Sequence, residues 1–134
     1  MAKTSPRILV LDDEKLIRWS LGQILSHEGY TVDVAAAAED AQRLAETHRY
    51  QVVLADLEVC GDKAEPFFKK LLASQAGAEL IILTAVPQDK AGERLGGCRT
   101  FRVVEKPFTS ETIKALTREA LSSHHNAPDQ PKEV

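Results

Sequence analysis

The chain has little cysteine, no long apolar run and no marked excess of one charge. Two cysteines, Cys60 and Cys98, in 134 residues are too few for a disulfide framework. No stretch approaches the ~18 consecutive apolar residues that a membrane span needs. The opening Met1-Ala2-Lys3-Thr4-Ser5-Pro6 lacks the apolar centre of a secretion signal. Seventeen basic residues against 20 acidic ones leave a net charge of -3, no electrostatic footprint for nucleic acid or an anionic membrane. No internal repeat is found. His27, His48, His124 and His125 show no metal-ligand spacing and read as surface residues, and Trp19 as a packing or surface residue. The expectation is a mildly acidic cytoplasmic domain whose 43% hydrophobic content suffices for one core.

What is present is a rhythm. Four short apolar runs recur, Ile8–Leu11, Val52–Ala55, Leu80–Leu83 and Phe101–Val104, and a weaker alternating strand spans Tyr30–Ala35. Near-continuous Val, Ile and Leu mark strands buried on both faces of a parallel sheet. Helical patterns fall between them. Over Glu14–Glu28, Ile17, Leu21, Ile24 and Leu25 share one face, and Gly29 stands where a C-terminal cap belongs. Further helices are expected over Ala38–Thr47, Phe67–Ser74 (with Pro66 in its first turn), Gln88–Leu95 and Ser110–Leu121, the last capped by Thr109 or Ser110. Five strands alternating with five helices give a parallel α/β sheet covered on both sides. The domain is assigned to residues 6–122. Residues 123–134, with two prolines and no apolar period, read as a disordered tail or the start of an interdomain linker.

The polar residues then fall in telling places. Asp12 and Asp13 follow the first run, Asp56 the third strand and Thr84 the fourth, and Lys106 lies just past the fifth. In a parallel sheet these strand ends share one edge, where ligand sites of open α/β folds sit. Taken singly, each residue is better explained by a turn, a cap or a solvated side chain. Together they make a cleft of three carboxylates, a hydroxyl and an ammonium. Converging carboxylates repel and call for neutralisation, and Mg²⁺ is the natural cation because it binds through one or two carboxylates with water and phosphate oxygens. One carboxylate could then attack a phosphoryl donor.

Four motifs carry a family resemblance: Ile8-Leu9-Val10-Leu11-Asp12-Asp13-Glu14, Val52-Val53-Leu54-Ala55-Asp56-Leu57, Ile81-Ile82-Leu83-Thr84-Ala85 and Glu105-Lys106-Pro107-Phe108. In this order, with 28 residues from Asp56 to Thr84 and 22 from Thr84 to Lys106, they resemble the receiver domain of two-component response regulators. Leu16-Ile17-Arg18-Trp19-Ser20-Leu21 further resembles the first helix of NtrC-type receivers, whose parent proteins activate transcription.

The resemblance implies a flavodoxin-like doubly wound sheet of strand order 2-1-3-4-5. It also implies that Asp56 is the phosphoacceptor, that Asp12, Asp13, Asp56 and the Glu58 backbone carbonyl hold Mg²⁺, that Thr84 is the switch hydroxyl, and that Lys106 contacts the phosphoryl group. The Lys106–Pro107 bond is expected to be cis. The implied partner is a sensor histidine kinase or phosphotransfer protein. A homodimer could form through the fourth helix, fifth strand and fifth helix, with no direct nucleic-acid or membrane binding. The domain would modify itself without being a turnover enzyme.

Two departures stand out. After Asp56 the family's Pro-Gly turn is replaced by Leu57-Glu58-Val59-Cys60-Gly61-Asp62-Lys63, which keeps Gly61 but has Cys60 for proline. Three residues before the lysine, Val103 stands where an aromatic is common; Phe101 shares its strand face, ~6–7 Å further along. Cys60 and Cys98, expected at opposite sheet edges, should not bridge. Two other readings are a pseudo-receiver that binds partners without phosphotransfer and a Mg²⁺-dependent phosphohydrolase using Asp56 or Asp12. Asp12-Asp13-Glu14 does not supply the Asp-x-Asp that haloacid-dehalogenase chemistry requires.

Overall fold

The computed structural model describes residues 5–86, 88–96, 98 and 101–126. Five strands, β1 (Arg7–Leu11), β2 (Thr31–Ala35), β3 (Val52–Asp56), β4 (Glu79–Thr84) and β5 (Phe101–Glu105), form one sheet. All neighbours pair in parallel, in the order β2-β1-β3-β4-β5. The helices are α1 (Lys15–His27), α2 (Ala38–Thr47), α3 (Ala64–Ser74), α4 (Gln88–Arg94) and α5 (Ser110–Asn126), with a 3₁₀ segment over Leu57–Lys63. The alternation and the parallel sheet are as the sequence predicts, and the strand order is as the family resemblance implies.

The two-residue period of the strands sorts the core into two layers. Leu9, Leu11, Val53, Ala55, Leu80 and Ile82 pack with Ala41 of α2, Phe68 and Leu71 of α3, and Ala91 of α4. Ile8, Val10, Val52, Leu54, Ile81 and Leu83 pack on the other side with Leu21 and Leu25 of α1 and Ile113 and Ala120 of α5. Both faces being covered, the central strands read as continuous apolar runs.

The ends of the helices show what the sequence resolves and what it misses. Gly29, at φ 92°, closes α1 as foreseen. Its N–H bonds to Ser26 at 3.0 Å while that of Tyr30 returns to Leu25 at 3.3 Å, the paired bonds of a left-handed C-cap. Thr109, not Ser110, caps α5, because its hydroxyl accepts the Thr112 N–H at 3.1 Å. α3 starts at Ala64, three residues before the predicted Phe67, since its first turn is polar on the outside and only Ala64 is buried there. α5 continues to Asn126, past the residue 122 boundary. Ser123 is drawn in by Arg102 of β5, whose guanidinium also holds Glu79 and Glu119. The rest of the predicted tail, residues 127–134, lies outside the described residues. Among the described residues no helix is long and apolar enough to cross a membrane.

Candidate functional site

Strand register assembles the site. Leu11 pairs with Ala55, so Asp12 and Asp56 leave their strands side by side. Asp56 pairs with Leu83 and Thr84 with Glu105, which brings Thr84 and then Lys106 to the same edge. The carboxylates of Asp12, Asp13 and Asp56 offer oxygens all within 4.8 Å of one another. Asp12 is fully buried and Asp56 nearly so, whereas Asp13 faces solvent.

Lys106 spans the two buried acids. Its Nζ lies 3.0 Å from Asp12 Oδ2 and 3.5 Å from Asp56 Oδ1. The other Asp12 oxygen accepts the Glu14 N–H at 2.9 Å, and Arg18 of α1 donates to the Asp12 carbonyl at 3.0 Å. Asp12 is thus fixed by its strand, by the start of α1 and by the lysine. The Lys106 N–H donates to the Thr84 carbonyl at 2.8 Å, and the peptide following Lys106 is cis. Thr84 is buried, and its hydroxyl accepts the Val86 N–H at 3.0 Å.

Burial and charge act against each other here. Burial pushes the Asp56 carboxyl above the usual aspartate range; the Lys106 charge pulls it down, Asp12 pushes it up again, and the Glu58 N–H holds the ionised form. Burial likewise disfavours the Lys106 ammonium, but the Asp12 hydrogen bond and the charges of Asp56 and Asp12 outweigh it and raise the lysine. The cleft holds more negative charge than one lysine offsets.

The Leu57–Lys63 segment, which replaces the family's Pro-Gly turn, is held by packing and by one glycine. Leu57 is buried, Val59 and Cys60 pack on the α2–α4 layer, and Gly61 adopts φ 58°, which favours glycine. Glu58 turns its side chain to Arg94 of α4, at 2.8 Å. Phe101 and Val103 line the same layer, as the strand period requires. Both cysteines are free, and burial raises both thiols, so neither has the lowered value of a reactive thiolate. Cys98 does not lie at the far edge as expected: its Sγ sits 3.8 Å from the Glu65 carbonyl in the first turn of α3, because α4 is only seven residues long. His27 and His48 are away from the cluster, and Trp19 is 62% exposed.

Sequence reasoning found the five edge residues but missed Arg94, and it read Arg18 only as part of a helix motif. A basic residue in a helix carries no sign of what lies across the fold from it.

Residues 8–118 match the response regulator receiver domain family. The chain belongs to that family. It is a receiver domain of two-component signalling. It is 27% identical over 130 residues to the transcriptional regulatory protein PmrA of Pectobacterium parmentieri, covering 96% of this chain and 58% of that protein. It is 31% identical over 137 residues to the response regulator MprA of a Mycobacterium species (strain KMS), covering 93% and 55%. The chain therefore spans little more than half the length of these curated relatives. Among solved structures, a CheY-like receiver domain protein from Methanospirillum hungatei JF-1 superposes with a TM-score of 0.84 at 22% identity, covering 92% of this chain and 99% of that one.

Proposed function

We propose that this receiver domain is a phosphorylation switch, with Asp56 as acceptor. The observation that carries the reading is the cluster itself: three carboxylates within 4.8 Å, bridged by an ammonium, at the carboxyl edge of a parallel sheet. These hard oxygen donors suit a small divalent cation, and Asp12, Asp13, Asp56 and the Glu58 carbonyl would hold Mg²⁺. Bound there, Mg²⁺ supplies charge neutralisation for an incoming phosphoryl group.

Asp56 attacks phosphorus with one carboxylate oxygen. An O–P bond forms as the donor's N–P bond, in a phosphohistidine, breaks and the imidazole keeps the electron pair. Lys106 contacts the transferred group, and the Thr84 hydroxyl leaves the Val86 N–H to meet it. The added charge of about −1.5 to −2 biases α4 and β5, the elements that follow Thr84 and precede Lys106. The donor is a sensor histidine kinase or phosphotransfer protein in the cytoplasm. The responding surface is α4, β5 and α5, which would also serve a homodimer. The domain turns over no external substrate and binds no nucleic acid or membrane itself; one of the regulators it resembles, PmrA, is named for transcription, which points to an output carried elsewhere.

Incubation with Mg²⁺ and a small acyl phosphate, followed by intact mass, tests this. One phosphoryl adduct that disappears in Asp56→Ala is expected. An adduct surviving that substitution, or none at all, would sink the reading, the latter in favour of a pseudo-receiver. Continuous phosphate release from simple esters would indicate a hydrolase instead.

A further inference from the structure

The segment after Asp56 keeps Gly61 but has Cys60 where its family has proline, and something besides the usual turn must define its shape. Arg94, in the last turn of α4, reaches across to it. Its Nη1 donates to Glu58 Oε2 at 2.8 Å, and its Nη2 donates to the Gly61 carbonyl. These acceptors bracket Val59 and Cys60, so one guanidinium closes the segment from both ends. A planar fork can serve two acceptors in this way; an ammonium, as a point charge on a flexible stem, cannot hold both in fixed geometry.

The consequence reaches the acceptor. Glu58 is two residues beyond Asp56, and its backbone carbonyl is one of the groups proposed to hold Mg²⁺. Orienting the Glu58 side chain toward α4 also keeps a fourth carboxylate directed at Arg94 and not at the Asp12, Asp13 and Asp56 cluster. Apolar packing supports the link, since Ala91 and Leu95 of the α4 region lie in the same core layer as Leu57, Val59 and Cys60.

We infer that Arg94 is a positioning residue: its two bonds, to Glu58 and Gly61, set the conformation of the acceptor segment and fasten it to α4. This rests on the proposed Mg²⁺-dependent phosphorylation only for its metal readout.

The test is made on the whole chain with Arg94→Ala, Arg94→Lys, Glu58→Ala and the Arg94→Ala/Glu58→Ala double variant. Without metal, amide exchange at residues 58 and 61 is followed by NMR. With Mg²⁺ alone, affinity is measured by calorimetry. Arg94 is about one-third exposed, so its loss should speed exchange and weaken Mg²⁺ binding about three- to fivefold. Glu58→Ala, which spares the Gly61 contact, should act in the same direction but less, the double variant should resemble Arg94→Ala, and Arg94→Lys should fall between. Were Arg94 only a nearby charge, Arg94→Ala and Glu58→Ala would move Mg²⁺ affinity in opposite directions. That result, or unchanged exchange in a folded Arg94→Ala protein, overturns the inference. Failure of the wild type to take up a phosphoryl group would count against the phosphorylation reading while leaving the metal-free exchange test of Arg94 intact.

Discussion

Asp12 shows how a carboxylate cut off from solvent is partnered on both oxygens. It is fully buried, yet one oxygen takes the Lys106 ammonium and the other the Glu14 N–H. Removing one partner of such a pair leaves a buried charge uncompensated. Lys106→Met is therefore expected to cost about 1–3 kcal/mol in the metal-free protein, less than a fully dry pair because Lys106 keeps some exposure. Part of that loss should return with Mg²⁺, which would replace the missing charge; denaturant unfolding with and without the metal reads both effects. Asp56 behaves in the opposite sense. Burial holds its folded-state value above that of the unfolded chain, so the folded protein binds the extra proton, and stability falls as pH rises through the folded value. Asp56→Asn removes that penalty. Without metal it should raise the thermal midpoint by ~2–4 °C at pH 7. The gain should vanish near pH 3, where the wild-type carboxyl is protonated in both states. A variant no more stable than wild type at pH 7 would show that Lys106 already offsets the burial of Asp56.

At the scale of elements, one buried group is badly served. Thr117 of α5 has no exposure, and its hydroxyl is the unpartnered buried side-chain atom among the described residues. Valine has nearly the same shape without the desolvated hydroxyl, so Thr117→Val is expected to stabilise by ~1 kcal/mol, visible as a higher denaturation midpoint at unchanged slope. How well elements were legible follows from the same physics. β1, β3 and β4 declare themselves because both faces of the sheet are covered, and the edge site follows because register converts run ends into neighbours. The start of α3 was not legible, because its first turn buries only Ala64. The last turn of α5 was hidden for a related reason: Ser123 is held by Arg102 from β5, a tertiary bond that no local period announces. Gly61 was visible as a turn residue, but its partner Arg94 lies 33 positions away and no spacing rule connects them.

For the molecule as a whole, the net charge of -3 hides where the acid is concentrated. Elsewhere several acids are paired with bases, as Asp33 with Arg7, Glu79 and Glu119 with Arg102, and Glu28 with Arg118. At the sheet edge three carboxylates share one lysine, so the fold is built around a local electrostatic deficit. A cation that binds there only in the folded state must stabilise the whole domain. At tenfold excess over its dissociation constant Mg²⁺ should add ~1.4 kcal/mol, a rise of a few degrees in the thermal midpoint that grows with the logarithm of concentration. Asp13→Asn removes the exposed ligand while leaving the buried Asp12–Lys106–Asp56 set, and should reduce that rise with little effect on the metal-free midpoint. Asp56→Asn should reduce it too, but from a higher metal-free starting point, since it relieves the deficit that the cation would otherwise fill. Equal Mg²⁺ shifts in wild type and both variants would place the stabilising cation away from this edge, and the acidic cluster would then be a structural feature of the sheet end.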